Sequence, residues 1–515
     1  MFEPQESTPW YRSVTSLLAA SLLLPPVGLA LLWARRQTPT RTKLFGTLGI
    51  LLLGAGYFFL YNVWSKSGAN EAHYAALEQE RAQQQRQAMD QPAVNNQTSA
   101  AATQTQQSAG VPEQAPAAGT SPEIASAHAS RNYWTNFRGP NRDGRYDEME
   151  VLTKWPAQGL PLVWKEMVGL GYASVAIADG RAYTIEQRRR QEVVAAYDVN
   201  TGRELWVQGW NAEYSDTTGD GPRTTPTWDN GRLYALGATG ELRCLDGKTG
   251  AVKWGKNILS DNQAENLSWA MAASPLIVDD KVIVLPGGTA GKSVVAYNKM
   301  SGAPVWKSQN DRQAYVSPML VTLAGRRQVL VVSASRVFGL APEDGALLWS
   351  LPWDTDMGIN VSQPIMVDKS RFFISSGYGK GAALVEVTNA GNSFTARGIW
   401  ENINMKNKFN SSVLHDGYVY GLDEGILTCL DVNTGARKWK GGRYGYGQII
   451  LASGHLIVMS DAGELALVKA TPAEYSEVAR FSALEGKTWN YPAIAGGRLF
   501  VRNATQMAAY KIAAE

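Results

Sequence analysis

The chain has 515 residues, 18% of them charged, and a net charge of +3; a balance this close to neutral, with no concentrated basic face, argues against a nucleic-acid partner. Two cysteines and four scattered histidines leave no material for a disulfide framework, a Cys-x-x-Cys site, a haem-attachment motif or the paired histidines of a zinc helix. The 50 glycines and 17 tryptophans point instead to many tight turns, each with a large ring beside it.

Taken in chain order, residues 13–33 and 44–64 are each 21 positions without a charge, enough for a helix to cross a bilayer core. Residues 1–64 are therefore expected to form a transmembrane helical hairpin that meets lipid through both stretches. The Pro25-Pro26 pair kinks the first of them, and Trp33, Tyr61 and Trp64 fall where interfacial aromatics sit. Arg35, Arg36, Arg41 and Lys43 lie in the connection, so the positive-inside rule keeps that loop cytoplasmic. Both termini then lie outside a bacterial cytoplasmic membrane, as a multi-pass anchor with everything past residue 64 in the periplasm. No small-x-small cleavage site follows either stretch, which favours an anchor over a cleaved signal.

Residues 65–131 turn to Gln, Ala, Ser, Thr and Pro and offer little to bury, so a disordered linker is expected. Within it NEAHYAALEQERAQQQRQAM, from Asn70, is rich enough in helix formers to extend as a short helix.

A repeat then sets in. The segments AYDVNTGRELW, CLDGKTGAVKW, AYNKMSGAPVW, GLAPEDGALLW and CLDVNTGARKW end at Trp206, Trp254, Trp306, Trp349 and Trp439. Successive steps of 48, 52, 43 and 90 positions, the last divided at Trp400, give the period of a four-stranded propeller blade. Asp198, Asp246 and Asp431 suit Asx turns, and Gly202, Gly250 and Gly435 supply the positive φ that closes a hairpin. Each tryptophan, including Trp164, Trp206, Trp254, Trp306, Trp349, Trp400 and Trp439, is expected on an outer strand as a dock between blades. Upstream of the turns, alternating stretches such as TTPTWDNGRLYALGA from Thr224 add a second hairpin. The count gives seven complete blades, Phe481 replacing Trp in the seventh, and an eighth lacking one strand. LPLVWKEM around Trp164 supplies it, so an all-β, eight-bladed propeller over 132–515 closes on itself. Cys244 and Cys429 fall at one place in blades on opposite sides of the ring, which keeps them apart.

These motifs resemble the pyrroloquinoline-quinone (PQQ) repeat shared by quinoprotein alcohol dehydrogenases and the outer-membrane β-barrel assembly lipoprotein, over about three quarters of the chain. YWTNFRGPNRDGR, from Tyr133, is similar to the entry motif of bacterial propellers of this kind. The resemblance implies one of two functions. In the first, the propeller is a non-catalytic, protein-binding scaffold with partners among envelope proteins and no cofactor or metal. In the second, it is a membrane-bound dehydrogenase that oxidises an alcohol or sugar with PQQ and calcium. The adjacent Cys-Cys pair found in such dehydrogenases is absent, which favours the first. So is the lipidated cysteine of the assembly lipoprotein.

In a propeller the starts of the innermost strands line one mouth of a central channel. Blade by blade these are Tyr172, Arg223, Trp269, Tyr315, Asn360, Gln363, Asn410, Gln448, Trp489 and Asn490. Amides and flat rings suit a planar polycarbonyl ligand, with Arg223 facing a carboxylate and Trp269 or Trp489 stacking. No residue is assigned to catalysis. Arg188, Arg189 and Arg190 read as a solvated hairpin tip.

Overall fold

A computed structural model describes residues 14–35, 38–90, 133–391 and 393–514. The chain divides into two compact units, Met1–Glu78 and Gln79–Glu515. The expected linker lies mostly outside the described residues, and so do Arg36 and the side chain of Trp64. The helix expected from Asn70 is continuous with the second apolar stretch.

In the first unit the apolar stretches differ. The second forms one helix, α3 (Thr40–Asp90). The first breaks into α1 (Val14–Leu23) and α2 (Pro25–Ala34) at Leu24, whose φ of −142° and ψ of 76° leave the helical region. The cause is local: Pro25 and Pro26 have no N–H to donate back into α1, and their rings crowd the preceding turn. Ten residues rise about 15 Å, half of a bilayer core of about 30 Å. Among the described residues one helix is long and apolar enough to cross a membrane. This corrects the expected two-span hairpin, and with it the multi-pass placement in the cytoplasmic membrane with both termini outside.

The second unit is an eight-bladed propeller. Its eight sheets comprise seven of four strands and one of five. Blade one runs Ala176–Ala178, Arg181–Arg188, Gln191–Asp198 and Glu204–Asn211, innermost to outermost. Seven blades follow this order along the chain. In the eighth, Leu162–Met167 pairs antiparallel with Gln506–Lys511, Trp164 opposite Ala509, so chain beginning and chain end share one sheet. No blade is then left with an open edge at the join. The extra strand, Arg145–Tyr146, pairs parallel with the innermost strand of blade seven, Gln448–Ala452.

The third-to-fourth hairpins owe their shape to single acceptors. Asp198 Oδ1 accepts from the backbone N–H of Asn200 and Thr201, both at 2.9 Å, and Asp246 and Asp431 repeat the arrangement. The closing glycines have φ of 73°, 76° and 70° at Gly202, Gly250 and Gly435. Their lack of a side chain has a second use. A Cβ at Gly202 would stand 2.7 Å from the Trp164 ring, and one at Gly250 2.6 Å from Trp206. Each tryptophan therefore lies flat on the turn of the next blade and donates its Nε1–H there: Trp164 to Val199 O, Trp206 to Gly247 O, Trp254 to Lys299 O, Trp306 to Pro342 O, Trp400 to Val432 O and Trp439 to Thr471 O, all within 2.8–3.2 Å. Trp349 differs, donating to Gln328 Oε1 of its own blade at 2.6 Å. The hairpin of blade five, Gly381–Ala390 and Ser393–Asn402, carries no Asp-and-Gly turn to receive it.

Cys244 and Cys429 are buried free thiols in sheets of different blades. Arg188 is not a solvated tip: it pairs with buried Glu186 at 3.0 Å and with Glu204 at 2.6 Å.

Candidate functional site

A ring of short hydroxyl side chains joins the innermost strands near their starts. Ser174 N–H donates to Thr225 Oγ1, Thr225 N–H to Ser274 Oγ, and Ser274 N–H to Ser317 Oγ, at 2.9–3.1 Å. Gln363 N–H continues to Ser411 Oγ at 2.9 Å, and Ser174 Oγ donates to Tyr491 O at 2.6 Å. Four buried backbone amides are thus satisfied by a hydroxyl of the neighbouring blade, as an inner rim closed to water requires.

The five amides expected at the mouth are all 1–2% exposed, and most of their donors serve this framework. Asn360 Nδ2 donates to Ser333 O, Gln363 Nε2 to Ser317 O, Gln448 Nε2 to Phe409 O and Trp489 O, and Asn490 Nδ2 to Ala173 O, at 2.7–3.0 Å. Asn410 Oδ1 accepts from Asn407 Nδ2. What remains is mostly oxygen: Gln363 Oε1, Gln448 Oε1 and Asn490 Oδ1 have no partner, and Asn410 Nδ2 is the one amide nitrogen of the five without one.

Around these amides lies a rim of half-buried rings and cations. The Arg223 guanidinium stacks over Tyr214 at 4.6 Å and Tyr172 at 5.4 Å, and pairs with Asp216 at 2.7 Å. Although burial disfavours its charge, Asp216 is held below the usual carboxylate range by hydrogen bonds from Thr218 and by the Arg223 guanidinium. Trp489 lies 5.7 Å from Tyr172 and 5.2 Å from Phe409, which in turn meets Tyr446 at 4.9 Å. Lys487 sits 3.6 Å over Trp489, and Lys408 lies between Tyr378 and Tyr446 at 5.3 and 5.5 Å. Burial pushes the Tyr378 phenol up to about 12. Trp269 and Tyr315 pair at 6.0 Å.

The channel beyond is filled by the entry segment. Arg138 and Arg142, 1% and 2% exposed, both take left-handed backbone, φ 61° and 58°, a conformation that costs an ordinary residue about 1 kcal/mol or more. Arg142 donates to Pro318 O at 2.8 Å, Ser274 O at 3.2 Å and Pro275 O, and Arg138 to Ser412 O at 2.7 Å, with its guanidinium 5.2 Å over Tyr491. Burial without a carboxylate partner pulls the Arg142 guanidinium down to about 9. A separate cavity of about 450 Å³ opens on this plugged side, between Asn136, Arg142 and Arg145 and the strand residues Ile277, Leu320 and Met366.

The structure thus gathers the rings and Arg223 at one place and spends the amides on the framework. Sequence reasoning missed Tyr214, Tyr378, Lys408, Phe409, Tyr446 and Lys487 at the rim and the two plug arginines. Lys408, Phe409, Tyr446 and Lys487 stand directly beside strand starts already chosen, so widening each choice slightly finds them, whereas Tyr214 and Tyr378 reach the rim from positions farther along their blades. A quinone with carboxylates presents oxygen acceptors and needs donors; the mouth's unpartnered amide atoms are mainly buried acceptors and Arg223 is paired with Asp216, so of the rim's groups Lys408 and Lys487 are the ones that could meet its carboxylates. No group of three or more His, Cys, Asp or Glu among the described residues could hold a metal ion. These residues do not fit PQQ with calcium.

Comparison with known proteins adds kinship. A family model described as "Outer membrane protein assembly factor BamB" matches residues 190–441. The assembly factor BamB of Bordetella pertussis is 22% identical over 317 residues, 58% of this chain and 72% of that protein. The quinohemoprotein alcohol dehydrogenase ADH-IIG of Pseudomonas putida is 25% identical over 194 residues, 36% of this chain; the match spans about a quarter of that enzyme, 26%. The crystal structure of the quinohemoprotein alcohol dehydrogenase of Comamonas testosteroni superposes with a TM-score of 0.55 at 13% identity, over 76% of this chain and 82% of the enzyme. That likeness is one of fold. The assembly factors are named for the outer membrane, which also stands against the cytoplasmic-membrane placement expected from the sequence. The chain is an eight-bladed PQQ-like β-propeller related to the BamB assembly factors and to the quinoprotein alcohol dehydrogenases.

Proposed function

We propose that the propeller is a protein-binding scaffold of the cell envelope and that the aromatic mouth takes a peptide segment of its partner. The observation that carries this reading is the chemistry left over at the mouth. Half-buried rings such as Tyr172, Trp269, Phe409, Tyr446 and Trp489 offer apolar contact at low entropic cost. Lys487 and Lys408 would favour acidic side chains flanking that segment. The plug formed by Arg138 and Arg142 leaves the mouth a blind recess, suited to binding rather than passage. Kinship with the assembly factors supports the same reading.

The test is site-specific photocrosslinking of the full-length chain in its native membranes. A benzophenone residue at Trp269 or Tyr446 should crosslink one defined protein, and Lys487→Glu with Lys408→Glu should cut the yield at least tenfold. A control at Arg327, exposed on the hairpin between the first and second strands of blade four, should not crosslink. Equal yields at all three positions, or none at the mouth, would refute the reading.

A further inference from the structure

The two short helices of the first apolar stretch do not continue one another. Gly28 lies against the backbone of Ser21: a Cβ there would meet Ser21 Cα at 2.5 Å. In a continuous helix, residues seven apart stand about 10 Å apart along the axis, so α2 folds back along α1. The N–H groups of the turn find acceptors within it, Leu24 N–H donating to Ala20 O at 2.9 Å and the N–H groups of Val27 and Gly28 to Leu24 O at 2.9 and 3.1 Å. A reversal inside lipid needs its donors satisfied in this way.

The depth of the reversal is fixed by α3. A Cβ at Gly46 would stand 2.7 Å from Leu32 Cδ2, and one at Gly54 3.8 Å from Pro25 Cβ. α2 therefore runs antiparallel to α3, and its proline turn comes level with Gly54, the midpoint of the uncharged stretch 44–64. At the other end Trp33 Nε1 donates to Thr47 Oγ1 at 2.9 Å, with Lys43 5.7 Å from the Trp33 ring. An aromatic and a lysine at that level mark a membrane interface. Outward-facing Leu18, Leu22, Leu23, Leu24 and Val27 are 45–78% exposed, an apolar surface too large to leave in water.

We infer that α1 and α2 form a re-entrant hairpin that enters one leaflet to mid-depth and leaves by the same face, while α3 alone crosses the bilayer. The occupant of the exposed leucine surface is lipid. The residues before α1 then share a membrane face with the 35–43 turn, opposite the end of the apolar stretch of α3.

The test is labelling with a membrane-impermeant maleimide in sealed, uniformly oriented vesicles carrying the full-length chain, before and after permeabilisation. Cys244 and Cys429 are buried and give little background. Single substitutions Ser7→Cys and Thr38→Cys should label from one side, and Ser67→Cys from the other. Ser7→Cys labelling together with Ser67→Cys and against Thr38→Cys would show a full crossing and overturn the inference. Labelling of all three from one side would overturn it as well, because α3 would then not cross.

Discussion

The joint between blades three and four gives the most quantitative test of how the ring is held. Trp306 is 8% exposed, donates to Pro342 O at 3.1 Å, and shares a core with Val329, Val331, Phe338 and Leu340 of the next blade. Removing a ring of this kind forfeits about 4–6 kcal/mol of burial at about 25 cal/mol per Å², an upper value. It also leaves the Pro342 carbonyl without its donor, at a cost of about 1 kcal/mol. Partial collapse of the site recovers some of this, so Trp306→Ala should cost about 3–5 kcal/mol, the range of aromatic-to-alanine changes in cores. Trp306→Phe keeps most of the apolar contact and should cost about 1–2 kcal/mol, because Phe481 already fills the equivalent place in blade seven against Gly159. The assay is denaturant unfolding of the full-length chain in detergent, followed by circular dichroism. A loss under about 1 kcal/mol for Trp306→Ala, or equal losses for both variants, would refute the docking role of the ring.

Other expectations rest on separate features. Gly345→Ala puts a Cβ 2.6 Å from the Trp306 ring at a φ of 75°; it should destabilise by about 2 kcal/mol or more, read in the same unfolding assay. Glu477, although its burial works against ionisation, is pulled to about 2 by hydrogen bonds from Arg480, Tyr444 and Tyr475. Its folded pKa lies below the unfolded one, so its contribution is present above about pH 4.5 and lost as pH falls toward 2. After allowing for its exposure, Glu477→Gln should cost about 1 kcal/mol at pH 7 and nothing near pH 2, measured as melting temperature against pH. Arg142→Ala removes donors from Pro275 O, Pro318 O and Ser274 O and should cost about 2–4 kcal/mol; a neutral effect would mean that the entry segment does not lock the channel. Replacing both Pro25 and Pro26 with Leu should straighten the first apolar stretch and move the maleimide reactivity of Ser7→Cys to the face that carries Ser67→Cys.

Much of the fold was legible because each blade repeats one local solution. An Asp that caps its own turn, a Gly that makes room and a Trp that lies on the next turn are nearby in sequence and recur at a fixed period. Trp164 and Phe481 could be placed by the same rule although each departs from it. The exception, Trp349, follows from the neighbouring blade, whose hairpin lacks the receiving turn, and nothing in its own segment announces that. The mouth was legible as a set of positions but not as chemistry. Whether Gln363 or Gln448 offers a donor or an acceptor depends on which carbonyl of an adjacent blade its amide meets. Arg138 and Arg142 were missed because their partners lie in blades far along the chain; the signal was a run of arginines and glycines in a segment without strand alternation. In the first apolar stretch, counting uncharged residues outweighed the proline pair, and the prolines decided the structure.

The most direct measurement is a titration of the full-length protein in detergent with PQQ and calcium, followed by quinone absorbance and melting temperature, since a specific ligand raises the melting point by mass action. A mouth that spends most of its amide donors on the framework, with no metal-ligand cluster among the described residues, predicts no saturable change in either signal at ligand concentrations well above those that fill a specific quinone site. A saturable shift abolished by Arg223→Ala and Trp269→Ala would contradict the scaffold reading and place the quinone at the mouth.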